Sequence, residues 1–239
     1  METLFQIEGG MMRLRLESRA VGEVLIVDCH GRIIAGNEVL TLHAHVGDSF
    51  AKYADVVLQL EHVEFIDSSG LGALVRLMQA ARSKGGDLKL CGLPPHIRKT
   101  LQMTNLLAQF ETYDSLEEAI TAAYLGSRYS RAQAGDARQR VLCVYDSSDV
   151  CTFLRELLCS AGYNALTTVS IDDAKILLKA TKAKLVLISA RMQSVYGKPT
   201  RKALEEIDPA VSLFILDENF ATQDPGEAAE KLLSSIASL

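Results

Sequence analysis

"FIDSSGLGALVRLMQAARSKGG", residues 65–86, holds the point where a strand-like apolar run gives way to a helical pattern. Leu71, Leu74, Val75, Met78 and Ala81 recur at three- and four-residue spacing and line one helix face, which Gly85-Gly86 close. The turn between the two patterns reads Asp67-Ser68-Ser69-Gly70. Asp and Ser favour helix N-caps because their side-chain oxygens accept bonds from amides that have no partner inside the helix. Gly70 and Gly72 let such a helix start pack close to a sheet. The same physics allows a second role. A helix start carries free amide protons and roughly half a positive charge, so it tolerates an anion. A phosphate on Ser68 would leave the helix intact while adding about −1.5 to −2 charges to an exposed turn beside Asp67. Local chemistry alone leaves both roles open.

Outward from this turn the first half is regular. "LRLESRAVGEVLIVDCHGRI" supplies two strands around a Val21-Gly22-Glu23 turn. Asn37 is placed to cap a helix whose apolar positions are Val39, Leu42, His43, Val46 and Phe50. "DVVLQLEHVEFI" is a strand, or two close strand segments, with the partial alternation of a sheet covered on one face. "DLKLCGL" is a further strand, and Pro94-Pro95 opens a helix carrying Ile97, Leu101 and Met103 that stops near Asn105. Ser115 and Glu118 have the spacing of a capping box at the head of "SLEEAITAAYLG", which Gly126 terminates.

The stretch 126–137 is small, polar and aperiodic and reads as a linker. Beyond it strands ("VLCVY", "NALTTV", "KLVLIS", "VSLFIL") alternate with helices expected at 149–161, 171–181, 200–207 and 226–237. Nearly all-apolar strands between helices imply a parallel sheet buried on both faces. The expectation is an α/β protein of two units, 13–125 and 138–239, joined by a hinge. Residues 1–11, ahead of Met12, are set aside as a leader or an alternative start.

Bulk properties exclude several classes. The chain has 239 residues, 48% of them hydrophobic, which is enough for a sizeable core. A net charge of −5 without a basic run argues against general nucleic-acid binding. No apolar stretch approaches the roughly 20 residues that span a bilayer, and the first residues lack the basic-then-apolar pattern expected of a signal peptide. Five cysteines share no CxxC spacing and read as reduced thiols in a cytoplasmic protein. His43 and His45 are two residues apart and point differently on a helix, so no metal site is expected. There is no GxxxxGK[ST] or GxGxxG loop, no cofactor is called for, and no nucleophile–base pair points to an enzyme.

Residues 13–125 resemble the STAS domain of bacterial anti-sigma factor antagonists. The resemblance runs through "DCHGRI" and then "VEFIDSSGLGALVRLMQAARSKGGDLKLCGLPPHIRKTLQMTNLLAQFETYDSLEEAI". It implies that D-S-S-G-L-G is a phosphorylation motif, with Ser68 the acceptor and Asp67 the acid that positions it. Ser69 matches a helix-start serine that is an acceptor in some relatives. Asn105 stands where members often have Gly. The implied partners are an anti-sigma factor with serine kinase activity and a serine phosphatase, with a homodimer left open. The expected docking face is Asp67, Ser68, Ser69, Gly70, Gly72, Ala73 and Arg76.

The second half resembles a response-regulator receiver domain that has lost its chemistry. Ser189 stands at the phospho-acceptor position, the acidic pair is reduced to Asp146 beside Tyr145, Asp217 occupies the usual threonine place, and no lysine follows a fifth strand. Only 22 residues follow Asp217, too few for the family's usual last helix–strand–helix unit. Receiver chemistry needs a carboxylate nucleophile and Mg²⁺ held by several oxygens, so it is not expected here. The resulting expectation is a protein that acts by binding and regulates transcription through partner exchange; the alternative target is another signalling complex or a cyclase.

Overall fold

The computed structural model describes residues 13–126, 139–192, 194–195 and 198–237. Residues 1–11, and the expected linker from 127 onward, lie outside them. The first unit is a five-stranded mixed sheet in the order β1 (Arg15–Val21), β2 (Val24–Ile33), β3 (Asp55–Ile66), β4 (Leu88–Cys91), β5 (Glu111–Tyr113). The β1–β2 hairpin is antiparallel and every later pairing is parallel. Parallel neighbours need crossovers, and helices supply them. These are α1 (Asn37–Ser49), α2 (Ser68–Ser83) and α3 (Pro95–Met103), with α4 (Leu116–Gly126) after β5.

Alternation in the strands sends residues to two cores. Val27, Cys29, Val56, Leu58 and Leu60 face α1, α2 and α3, meeting Leu42, Val46, Leu74, Leu77, Ile97 and Leu101. Val21, Val24, Ile26 and Val57 face the opposite way, against Ala119, Ile120, Ala123 and Tyr124 of α4. The sheet is therefore covered on both faces over this part, where one covered face was expected.

The helix signals held with local corrections. α2 stops as its glycines require: Gly85 has φ 81°, and the amides of Gly85 and Gly86 donate to the carbonyls of Arg82 and Ala81. Ser115 Oγ accepts the Glu118 amide at 3.2 Å, and Asn105 adopts φ 56° after α3. Asn37 does not cap α1; Gly36 holds the cap position and no side chain closes it. His43 and Met103 are exposed instead of packed, while Leu77, not singled out from the periodicity, is fully buried.

The second unit is a four-stranded, wholly parallel sheet in the order β11 (Ser212–Leu216), β8 (Leu185–Ser189), β6 (Arg140–Val144), β7 (Asn164–Thr168). Helices α5 (Ser148–Ser160), α6 (Ile171–Thr181), α7 (Thr200–Glu205) and α8 (Pro225–Ala237) connect and follow the strands. A two-residue ribbon, β9 (Ser194–Val195) with β10 (Lys198–Pro199), precedes α7. Burial on both faces holds for β6 and β8, but the edge strand β11 is partly exposed.

The two units share one hydrophobic cluster. Val21, Ile120 and Tyr124 of the first belong with Leu166, Ala174 and Leu178 of the second. Gly22 at the hairpin tip donates its amide to the Thr167 carbonyl at 2.9 Å. A Cβ at Gly22 would lie 2.0 Å from the Tyr124 hydroxyl, and its φ of 61° suits glycine. That hydroxyl donates to the Val21 carbonyl and accepts the Glu23 amide. Arg19 grips Asp173 through two 3.0 Å bonds, and Arg155 and Lys179 pair with Glu23 and Glu117 at 2.8 Å.

Candidate functional site

The Asp67-Ser68-Ser69-Gly70 turn lies where β3 passes into α2. Asp67 is the N-cap, extended at φ −95°, ψ −178°. One carboxylate oxygen accepts the Gly70 amide at 2.8 Å and the other accepts the Ala35 amide, also at 2.8 Å. The side chain thus caps α2 and ties it to the loop between β2 and α1. Burial pushes the carboxyl up, but bonds from the amides of Ala35, Gly70 and Ser69, together with nearby Arg32, outweigh it and hold the group below its ordinary range. Asp67 is ionised at neutral pH.

Ser68 is the first residue of α2 and is exposed, and among the described residues no group bonds its hydroxyl; Ser69 is half-buried. Among the expected face residues, Ser68 and Arg76 are exposed and Asp67, Ser69 and Gly72 are half-buried. Two expectations need correction. Ala73 is fully buried, turned into the core by the helical period. Gly70 is buried too: a Cβ there would sit 2.3 Å from the Ile33 carbonyl and 2.8 Å from the Ile66 side chain. Gly70 is glycine because α2 starts hard against the end of β2. At Gly72 the nearest atom is the flexible tip of Arg76, 3.3 Å away, so this position leaves open surface.

Two residues beside the turn were not singled out from the sequence. Arg32 and Phe65 face each other across β2 and β3, with the guanidinium 5.2 Å from the ring centroid. Phe65 is 47% exposed. Register shifts between Asp28 and His30 and between Gly31 and Arg32 create this pairing, so plain alternation could not find it. The only hint was a bulky aromatic residue two positions ahead of the Asp-Ser turn. Arg32 and the helix start thus offset the charge of the ionised Asp67, next to the exposed Ser68.

In the second unit Ser189 ends β8 and is 1% exposed; its Oγ accepts the Arg191 amide at 3.3 Å. Tyr145 is buried against Phe220, with ring centroids 6.4 Å apart. Asp146 is paired with Arg191 at 3.7 Å. Asp217 follows β11 and accepts the Asn219 amide at 2.7 Å. The structure therefore brings Ser189 and Asp146 to one region, joined through Arg191, and leaves Asp217 occupied in its own turn. Among the described residues no cluster of His, Cys, Asp or Glu is fit to hold a metal, and no helix is long and apolar enough to cross a membrane.

Comparison with known proteins bears on the first unit. Residues 15–119 match the family model described as the STAS domain. The anti-sigma F factor antagonist of Paenibacillus polymyxa is 33% identical over 66 residues, 28% of this chain and 56% of that protein. A protein of Bordetella bronchiseptica described as an anti-sigma factor antagonist, BtrV, is 34% identical over 67 residues, 28% of this chain and 58% of its own. The chain thus spans little more than half the length of these curated relatives. Among solved structures, an anti-sigma factor antagonist from Mycobacterium paratuberculosis aligns at 24% identity over 46% of this chain and 93% of its own, with a TM-score of 0.40. The chain is thus similar to the STAS domain over residues 15–119, the greater part of its first unit.

Proposed function

We propose that this protein is an anti-sigma factor antagonist that works by partner switching, with Ser68 as its phosphorylation site. The observation that carries the reading is the free, exposed hydroxyl of Ser68 on the first residue of α2, next to a carboxylate already committed to the fold. With Ser68 unmodified, the first turn of α2, Gly72, Arg76 and the β2–α1 loop dock on an anti-sigma factor that is also a serine kinase. A sigma factor is thereby released. Phosphate on Ser68 adds charge to a face that must lose its water on docking, and the complex breaks. A serine phosphatase resets the switch. Asp67 holds both sides of the face in register; it touches no reacting atom in this scheme, and the protein acts by binding.

The second unit docks at the hairpin end of β2, ten residues from the Ser68 end, or about 30 Å along a strand. The proposed face stays open to a partner. We read the second unit as a receiver-like domain without phosphotransfer. Its strand order, counted from its own first strand, is 2-1-3-4, in keeping with the flavodoxin-like order. Arg191 stands on Asp146, where a receiver would hold Mg²⁺.

The test is phosphopeptide mapping of the protein from its own cell, paired with capture of partners by wild type and Ser68→Asp. Phosphate on Ser68, with an anti-sigma factor captured by wild type alone, supports the reading. Phosphate elsewhere overturns the site. Capture of a cyclase or another signalling complex in place of an anti-sigma factor would move the same switch to a different target.

A further inference from the structure

Strand β11 forms one side of the second sheet and, among the described residues, pairs with β8 alone. Its outer edge therefore presents unpaired amide and carbonyl groups, which natural sheets usually blunt with charge, proline or a bulge. Here the run Val211–Leu216 carries no charge, and its register with β8 is unbroken. Ile215 is 40% exposed, and Leu213 and Phe214 are half-buried. Two depressions flank the edge. One, of about 210 Å³, is lined by Phe214, Leu216, Phe220 and Leu232. The other, of about 220 Å³, is lined by Ile188, Pro199, Leu213 and Ile215.

We propose that β11 is a self-association edge: two copies of this chain pair β11 to β11, antiparallel, about a two-fold axis at Phe214. Such a contact is isologous, so the strand must be compatible with its own reverse. It is. Phe214 meets its own copy, Leu213 meets Ile215, and Ser212 meets Leu216, with no like charges opposed along the strand. The two ends also differ in charge. Asp217 and Glu218 follow the strand, whereas Lys182 and Lys184 stand at its start, where the Ser212 amide bonds the Lys184 carbonyl. Asp208 at that lysine end is already held by Lys184 at 3.4 Å. Antiparallel pairing sets Asp217 and Glu218 of each copy against the end of the other that carries Lys182 and Lys184 together with Glu206 and Asp208, and does so twice. A second copy thus answers both the polarity and the apolar character of the edge, and the two four-stranded sheets become one.

Sedimentation equilibrium on the full chain tests this. The expected mass rises with concentration toward twice the 26.1 kDa of the single chain. Ile215→Lys, with an unchanged circular dichroism spectrum, should stay at the single-chain mass. Wild type remaining a single chain at every micromolar concentration overturns the proposal, as does an Ile215→Lys chain that associates like wild type. Register is tested by cross-linking in a Cys159→Ser background, which removes the exposed native thiol. A mixture of Leu213→Cys and Ile215→Cys chains should form an intermolecular disulfide that neither chain forms alone. Equal cross-linking in all three samples would refute the two-fold pairing.

Discussion

Asp67 and Ala35, thirty-two residues apart in the chain, are joined by a 2.8 Å bond from the Ala35 amide to the Asp67 carboxylate. The same carboxylate caps α2 through Gly70. One side chain therefore fixes the spacing between the loop before α1 and the serine turn. Asp67→Ala should lower stability by about 1–2 kcal/mol, the usual cost of a lost cap with a second amide left unpaired. Urea denaturation measures it. Because the folded carboxyl titrates below its unfolded value, its contribution is present above the unfolded pKa and is lost as pH falls through the folded one. The gap between wild type and Asp67→Ala should be constant near neutrality and close below about pH 4. A gap that persisted at pH 2 would mean that the charge is not what the amides recognise.

Ser68 should separate binding from folding. Ser68→Ala and Ser68→Asp remove no side-chain bond to any of the described residues, so both should unfold within about 0.5 kcal/mol of wild type. Ser68→Ala should bind the partner constitutively and Ser68→Asp weakly. Equal affinity of the two variants in a titration would remove Ser68 from the switch.

The two glycines of the turn should fail in opposite ways. Gly70→Ala forces a methyl group onto the Ile33 carbonyl and should destabilise by about 1–3 kcal/mol, in the range of overpacking. Gly72→Arg meets only the movable Arg76 tip, so its melting curve should match wild type while partner binding is blocked. Tight binding by Gly72→Arg would shift the docking face away from α2.

Arg19 and Asp173 form a two-pronged polar link between the two units. Asp173 is 4% exposed and Arg19 38%, so the pair is one-sided in burial. Burial outweighs the pull of Arg19 and leaves the Asp173 carboxyl above its ordinary range. Each single replacement by Ala should cost about 1–3 kcal/mol, and the double replacement less than the sum. Strict additivity in thermal unfolding would show that the pair does not couple the units.

The second unit should take no phosphate from acetyl phosphate and Mg²⁺, in wild type or in Ser189→Asp. Serine is a weak nucleophile without a base, and Arg191 occupies the remaining acid, Asp146. A mass gain of one phosphate on residues 139–239 of the intact protein would reveal a working acceptor.

Periodicity and punctuation located nearly every element, because strand alternation, the Gly85-Gly86 stop, Pro94-Pro95 and the Ser115 cap are local signals read within a few residues. The Asp-Ser-Ser-Gly turn was legible for the same reason: its chemistry lies in consecutive residues. Long-range choices were not. The burial of Ala73 follows from which face α2 turns to the sheet, and that depends on how closely Gly70 lets it approach Ile33. The Arg32–Phe65 contact depends on two register shifts that no single strand records. The joint core of the two units depends on Gly22, Tyr124 and Thr167, which are far apart in the chain and meet only in the tertiary fold. Local backbone preference is written residue by residue, whereas packing partners are selected by the three-dimensional fit of surfaces far apart in the chain.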